Sequence, residues 1–466
     1  MFRITFMKTA GAKALAVAAA LAASVSFAEI RTLKPSEGEV VPLLSDSQKA
    51  FADMPPAERR AKFANAKFRR GLGHPRERVP GESHKRKTYW PRTVRLEWEA
   101  APGATEYKVA VRDVRKGETV FEGTARGQSL NIDNLEVGAA YEWTVAGGGE
   151  TGRGTFRTAD GYPRLLRFPG VANARDIGGW TGLGGRRVRQ GLVFRSCGLN
   201  DNANPEYYSA EELRALGREK EIKESAEKAR KRLDQLLGWQ AKPKTFDFKD
   251  PEYVDWCTRH IGEPFSDFLA SRVRNARKAV SAGSKVVKGY KPGENRVAGE
   301  AGEYIRSRFG IKTDIDLRSD RECYGMKGSP LGPSVKWVHV SSSAYGGMQS
   351  AKGRQAFAKV FRTFLDEKNY PIDFHCIAGQ DRTGSLAYIL CALLGAEDGR
   401  LALDWELSGL RNTSVHFSHA RCYDKLLAGL RKCGGANARE RAEKYVLSLG
   451  FTEKDIEKFR RIMLED

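Results

Sequence analysis

The sequence predicts an all-β sandwich followed by an α/β domain with a central sheet and flanking helices. Three observations predict this fold class. The chain has 466 residues, more than one ordinary domain contains. Within residues 91–160, apolar and polar side chains alternate with the period of two that half-buried strands show. Residues 371–396 contain a short apolar strand, a glycine-containing loop and an apolar helix, a unit typical of α/β domains.

The composition permits two cores and excludes two classes of protein. Hydrophobic residues make up 41% of the chain and charged residues 29%, which excludes wholesale disorder. Seven cysteines in so long a chain exclude a disulfide scaffold. The formal net charge is +21, and residues 58–95 alone hold thirteen Lys/Arg and three Asp/Glu. Such a block is usually solvated, although it can also dock on an anionic surface.

The first 28 residues have the pattern of an export signal. An apolar run at 14–25 follows three basic residues and precedes Ser26-Phe27-Ala28, where small residues occupy the two positions that a signal peptidase reads. We therefore expect a periplasmic or secreted protein that is mature from about Glu29, with an uncleaved N-terminal anchor as the alternative. Residues 29–90 are expected to form a basic segment or linker.

The sandwich is predicted over residues 91–160. Val94, Leu96 and Trp98 alternate with charged residues, and similar short runs recur between turns up to Thr158. Trp98 and the pattern Leu135-x-x-Gly138-x-x-Tyr141 resemble a fibronectin type III domain. The resemblance implies a module that positions or binds a partner protein or surface.

The α/β domain is predicted over residues 161–466, and its informative segment is a loop between a strand and a helix. The strand Ile372–His375 leads into Cys376–Arg382, and an apolar helix pattern follows from Thr383 to Leu394. Backbone N–H groups in a tight loop that opens a helix form an anion site. These dipoles and a guanidinium lower a thiol pKa, and the guanidinium binds two phosphate oxygens as a fork. The expected phosphate-binding residues are Ile377, Ala378, Gly379, Gln380, Asp381 and Arg382.

A second segment, Cys433–Arg439, has the same Cys-x5-Arg spacing. It follows a helical pattern rather than a strand, and Lys432 stands where the first segment has His375. We interpret it as a chance match in a glycine-rich connection between helices.

The string His375-Cys376-x-x-Gly379-x-x-Arg382-Thr383-Gly384 resembles the signature of the cysteine-dependent protein tyrosine phosphatase superfamily. Residues 173–179 (Asn-Ala-Arg-Asp-Ile-Gly-Gly) and 313–322 (Thr-Asp-Ile-Asp-Leu-Arg-Ser-Asp-Arg-Glu) resemble its atypical bacterial tyrosine/lipid phosphatase branch. The resemblance covers about residues 165–196 and 299–464.

The resemblance implies roles for individual residues. Cys376 is the expected nucleophile and Arg382 the phosphate clamp, while Thr383 stabilises the thiolate leaving group. The general acid is expected to be Asp316 or Asp381. We expect Asp316 to protonate the leaving group and Asp381 to shape the loop or activate water, with the exchanged assignment left open. His375, Asn173, Arg175 and Asp176 are expected to support the site.

The predicted function is an exported phosphomonoesterase that forms a cysteinyl-phosphate intermediate and acts most readily on phosphotyrosine. Phosphoinositides and inositol phosphates are the alternative, although Gln380 replaces the Lys that lipid-acting members often carry. A rhodanese-like sulfur transferase and a catalytically silent phosphate-binding module are less favoured. No metal is expected, because the side chains of His416-x-x-His419-x-x-Cys422 diverge on a helix. No organic cofactor is needed, and the export signal and the lack of a recognition motif argue against nucleic acid.

A helical insertion is predicted at about residues 203–298. Apolar residues recur there at helical spacing between Ile222 and Leu236. We expect this insertion to pack on the phosphatase core, with a lid or a partner-binding face as the alternative.

Overall fold

In this computed structural model, the described residues are 29–63, 91–199, 206–208, 210–215, 217, 219–243, 250, 252–253, 256, 264–282, 287–289, 299–320, 322–323, 326–408 and 418–466. The predicted export signal, residues 64–90 of the basic segment and His416 lie outside them. Among the described residues, no helix combines the length and the apolar composition that crossing a bilayer requires.

The N-terminal part is an all-β unit of two sheets. Its strands are β1 (Thr32–Lys34), β2 (Glu39–Val41), β3 (Val94–Trp98), β4 (Tyr107–Asp113), β5 (Glu118–Ala125), β6 (Ser129–Ile132), β7 (Ala140–Gly147) and β8 (Glu150–Thr158). One sheet has the order β1-β3-β6 and the other β2-β8-β7-β4-β5. The inward-facing residues of both sheets, including Trp98, Tyr107 and Trp143, form one hydrophobic core. The specific resemblance to fibronectin type III stays a prediction.

Strands β1 and β2 come from residues predicted as a linker. β1 pairs antiparallel with β3, and β2 pairs parallel with β8. Ile30 and Leu43, which flank these strands, are buried in the sandwich core. Each strand has only three residues and a largely exposed surface, so the sequence carries no strand-length alternation there.

The next part of the basic segment packs on the α/β domain. It forms helices α1 (Asp46–Asp53) and α2 (Pro56–Phe63). Phe51 is fully buried in the core of the α/β domain, and the buried Arg59 side chain forms an ion pair with Glu406. The expectation of a solvated charge block therefore does not hold for Arg59, because a carboxylate from a distant helix compensates its buried charge.

The predicted α/β domain is confirmed. Its strands are β9 (Arg175–Asp176), β10 (Val193–Ser196), β13 (Thr313–Asp316), β14 (Lys336–His339) and β15 (Ile372–His375), in the order β14-β13-β15-β10-β9. All of them except β9 run parallel. Its helices are α6 (Gly299–Phe309), α7 (Ala351–Phe364), α8 (Asp381–Leu393), α9 (Asp398–Leu407), α10 (Ser418–Arg431), α11 (Ala438–Leu447) and α12 (Glu453–Met463). Helix α8 is apolar on all sides and almost wholly buried, as expected for a helix inside a core.

The insertion contains a short antiparallel pair and a helical hairpin. Its elements are β11 (Glu206–Tyr208), α3 (Ala210–Ala215), α4 (Glu219–Ala241), α5 (Phe265–Ala282) and β12 (Val287–Gly289). The buried residues Leu236 and Trp239 of α4 meet Leu269 and Val273 of α5 in a separate hydrophobic cluster. The amphipathic face of α4 thus packs on its own hairpin partner, unlike the predicted packing on the phosphatase core.

Candidate active site

The candidate site lies where the parallel strands of the central sheet end. His375, the last residue of β15, is paired with Asp316 of β13 on one side and with Ser196 of β10 on the other. Cys376 follows at once, and α8 begins at Asp381. Because parallel strands bring their carboxyl ends to one edge, this edge is where α/β domains bind ligands.

Cys376 has an acidified thiol. Its side chain is buried, and burial disfavours the thiolate. The positive charge of Arg382 and hydrogen bonds from the side chain and backbone of Thr383 outweigh burial, so the pKa of Cys376 lies below its ordinary value. The thiol is therefore prepared to act as a nucleophile.

The loop depends on glycine at position 379. Gly379 has φ +61°, and a Cβ there would lie 2.3 Å from the Ser196 carbonyl oxygen. A larger residue would meet both backbone strain and a backbone clash.

Two side chains hold the loop from outside. Asn173 Nδ2 donates to the carbonyl oxygens of Ala378 (3.2 Å) and Gly379 (2.9 Å). Arg195 donates to Gly379 at 2.8 Å. Since a trans peptide directs its C=O and N–H to opposite sides, the amides of Gly379 and Gln380 point away from Asn173 and Arg195. Gln380 is the N-cap of α8, so the loop leads directly into a helix N-terminus, the end of a helix that favours an anion.

Asp404 of α9 anchors this support, and sequence reasoning missed it. It accepts from Arg175 Nε at 2.8 Å and also pairs with Arg195. Arg175 in turn donates to Asn173 Oδ1 at 2.6 Å. Burial disfavours the charged carboxylate, but the two guanidinium groups outweigh it and hold the pKa of Asp404 well below its usual range. A lone carboxylate in the apolar run 401–405 was the available signal.

Asp176 supports the fold rather than the loop. Its carboxylate pairs with Arg164 at 2.7 Å and accepts from the N–H groups of Gly178 and Gly191. These contacts join the 175–191 turn to the linker after β8.

Arg382 is held by Glu322. Its Nη1 and Nη2 donate to the two Glu322 carboxylate oxygens at 2.5 and 3.1 Å. Burial opposes the guanidinium charge, but the Glu322 hydrogen bond outweighs it and raises the pKa of Arg382. Glu322 is the last residue of the family-like segment 313–322, and no role was predicted for it.

Asp316 does not fit the predicted role of general acid. It is fully buried and pairs with Arg318, whose Nε donates to its Oδ1 at 2.8 Å and whose Nη2 donates to its Oδ2 at 2.5 Å. Burial favours the protonated acid, but the charges of Arg318 and His375 outweigh it and hold the pKa of Asp316 well below its usual range. Arg318 thus engages both Asp316 oxygens in a fully buried position, which leaves neither oxygen accessible to a leaving group.

His375 lies behind the loop. Its Nδ1 is 3.2 Å from the Cys376 carbonyl oxygen, and its Nε2 is 2.9 Å from Asp314 Oδ1. Burial opposes the imidazolium, but the carboxylates of Asp316 and Asp314 outweigh it and raise the pKa of His375 to about 9. A charged His375 is thus fixed between the sheet and the loop.

Asp381 is the better-placed acid. It is the first residue of α8, lies within the Cys376–Arg382 loop and is only half-buried. Its carboxylate accepts a hydrogen bond from the Tyr345 hydroxyl, a contact that sequence reasoning missed. Of the two acids, Asp381 alone combines a place in the loop with partial exposure.

Cys433, the cysteine of the second Cys-x5-Arg segment, lies outside the strand–loop–helix unit that contains Cys376. Cys433 follows α10 in a turn, and Gln349 Nε2 lies 3.7 Å from its sulfur.

Within the part of the chain that the structure describes, no group of three His, Cys, Asp or Glu side chains is arranged to hold a metal ion.

Known proteins show similarity to this part of the chain. The model of the tyrosine phosphatase family matches residues 166–229 and 294–465, just over half of the sequence. A protein of Cupriavidus necator named "Putative tyrosine-protein phosphatase" is 27% identical over 251 residues. The match covers 54% of this chain and 65% of that protein, so the chain spans slightly less than two thirds of that relative.

Proposed function

The chain belongs to the tyrosine phosphatase family, and on this basis we propose that it hydrolyses phosphomonoesters through a cysteinyl-phosphate intermediate, with phosphotyrosine as the favoured substrate. The observation that carries the proposal is the Cys376 thiol, which lies in a strand–loop–helix unit at a helix N-terminus and whose pKa is lowered by Arg382 and Thr383. The same groups that stabilise a thiolate also stabilise a phosphoryl dianion.

In the first step, Cys376 Sγ attacks phosphorus and the bond from phosphorus to the leaving oxygen breaks. Arg382 and the amides of residues 377–382 bind the equatorial phosphoryl oxygens. To do so, Arg382 replaces its hydrogen bonds to Glu322 with hydrogen bonds to the phosphoryl group. Protonated Asp381 gives its proton to the leaving oxygen, because an alkoxide or phenoxide leaves poorly without one.

In the second step, water attacks phosphorus and the phosphorus–sulfur bond breaks. The Asp381 carboxylate takes the proton of the water, and the Thr383 hydroxyl stabilises the departing thiolate. Inorganic phosphate then leaves and the site is restored.

A phosphate-release panel tests the proposal and its substrate together. Phosphotyrosine peptides, phosphoserine peptides, phosphoinositides and inositol hexakisphosphate are compared at equal concentration. We expect the highest kcat/KM with phosphotyrosine peptides and a stoichiometric phosphoenzyme after acid quench. Preference for a phosphoinositide or an inositol phosphate would replace the substrate assignment, and no release from any substrate would favour a phosphate-binding module.

We also infer that the protein is exported. The support is the basic, apolar and small-residue pattern of residues 1–28. Expression of the full chain in a bacterial host, followed by mass measurement, should give a mature form that starts near Glu29 in the periplasm or medium. A full-length cytoplasmic product would contradict export.

A further inference from the structure

Tyr345 lies beside the candidate acid, outside every motif that the sequence analysis used. It begins a short 3-10 helix, Tyr345–Gln349, and is half-buried. Its φ is +56°, a left-handed conformation that costs a bulky non-glycine residue free energy. Such strain persists only where surrounding contacts hold it.

Those contacts join Tyr345 to Asp381 at two points. The phenol donates to Asp381 Oδ1. The Tyr345 backbone N–H donates to Ser385 Oγ at 3.0 Å, and Ser385 Oγ donates to the Asp381 carbonyl oxygen at 2.9 Å. The side chain and the backbone of Tyr345 thus both bind the first turn of α8.

The phenol is a permanent donor in this position. Burial and the nearby Asp381 carboxylate both raise the pKa of Tyr345 above its ordinary value, so the hydroxyl keeps its proton at neutral pH. The Tyr345 ring is 6.0 Å from the Trp405 ring, and this packing limits the directions in which the hydroxyl can point.

We propose that Tyr345 is a positioning residue that fixes the Asp381 carboxyl by occupying Oδ1, so that Oδ2 carries the proton given to the leaving group. A carboxyl proton can sit on either oxygen, and a donor bound to one oxygen directs the proton to the other. The same arrangement presents Oδ2 to the attacking water in the second step. This inference rests on the proposed phosphatase function and on Asp381 as its acid.

Tyr345→Phe is the test, because it removes the hydroxyl and keeps the ring that packs on Trp405. We expect kcat/KM for phosphotyrosine to fall on the order of tenfold, less than the roughly 10²–10⁴-fold attributed to an entire general acid. KM should change little. On nitrophenyl phosphate, whose leaving group needs no proton, kcat/KM should stay near that of the wild type, because kcat/KM excludes the second step that both substrates share.

A double-mutant cycle separates positioning from a structural effect. In an Asp381→Asn background, Tyr345→Phe should cause no further loss, because its effect passes through the carboxyl that is already removed. Tyr445→Phe is the matched control, since Tyr445 donates to the Met348 carbonyl oxygen at 3.0 Å and thus holds the other end of the same 3-10 helix. It should leave kcat on both substrates near wild type.

Equal loss on both substrates, additional loss in the Asp381→Asn background, or no loss at all would overturn the proposal. An effect of Tyr445→Phe as large as that of Tyr345→Phe would do the same. These outcomes differ from failure of the proposed function, in which the wild type would release no phosphate from either substrate.

Discussion

Two segments of this chain place a cysteine and an arginine six positions apart. They differ in the elements that flank them and in the groups that bind their backbone. Cys376–Arg382 joins β15 to α8, whereas Cys433–Arg439 connects α10 to α11. The first segment is held from outside through its carbonyl oxygens by Asn173 and Arg195. The N–H groups of the peptides that Asn173 and Arg195 hold therefore point to the opposite side.

The second segment satisfies its own amides. Asn437 caps α11 by accepting from the Glu440 N–H at 3.0 Å, and the Glu440 carboxylate accepts from the Ala436 N–H at 2.8 Å. Arg439 lies 3.9 Å from Glu443 on a partly exposed surface. A carboxylate of the chain thus already occupies the place that an anion takes at a helix terminus. The Cys-x5-Arg spacing alone therefore does not make an anion site, because the groups that bind each segment decide whether its helix terminus can take an anion.

Substitution of each cysteine by serine should give the largest difference in activity between the two segments. Cys376→Ser should lower kcat for nitrophenyl phosphate by roughly three orders of magnitude or more, because a serine hydroxyl is barely ionised at neutral pH. Phosphate binding, measured by calorimetry, should persist. Cys433→Ser should retain activity near wild type, and an inactive Cys433→Ser enzyme would show that the loop assignment is mistaken.

The two arginines should differ by the next largest factor. Arg382→Ala should reduce kcat/KM about 10²–10³-fold, as expected when a charge stabiliser of the transition state is lost. Arg382→Lys should recover little, because an ammonium cannot form the two-pronged contact. Arg439→Ala is the control and should have almost no effect; comparable losses in both variants would remove the distinction between the segments.

The pH dependence of Cys376 alkylation should show a smaller effect, one that reports on the thiol alone. Since the pKa of Cys376 is lowered, the reactive thiolate persists to lower pH than in an ordinary thiol, and the rate falls only as pH drops through the lowered pKa. Inactivation by iodoacetate should therefore have its midpoint below that of a small thiol, and phosphate should slow it. Arg382→Ala should shift the midpoint upward, and an unchanged midpoint would remove Arg382 as the cause.

The smallest effect concerns the cap of the second segment. Asn437→Ala should lower the free energy of unfolding by about 1 kcal/mol, the usual cost of losing a helix N-cap. Its kcat should not change, because this helix terminus binds no substrate. Urea unfolding and steady-state kinetics check both parts, and reduced kcat at unchanged stability would connect the second segment to the reaction.

Much of the architecture follows from local sequence. The alternation at Val94–Trp98 and the apolar pattern after Thr383 predict a strand and a helix, and both form within a residue or two of the predicted bounds. Local patterns succeed here because side chains two or four positions apart share a face of one element. β1 and β2 escape detection because three-residue edge strands carry too few residues to show a period.

The tertiary structure determined which carboxylates lie around the loop and which groups bind them. The sequence placed Asp316 and Asp381 near the site and favoured Asp316 as the acid, whereas in the structure Arg318 engages both oxygens of the fully buried Asp316. Asp404 and Tyr345 join the site from segments that carry no phosphatase-like motif.

By itself, the sequence determined the family, the α/β class and the Cys376–Arg382 loop, because these depend on residue types at short, fixed separations. Only the tertiary structure determined the partners of Asp381 and Arg382. Their contacts and burial arise from segments up to tens of residues distant, and the free energy of a charge depends on which groups the fold brings within a few ångströms of it.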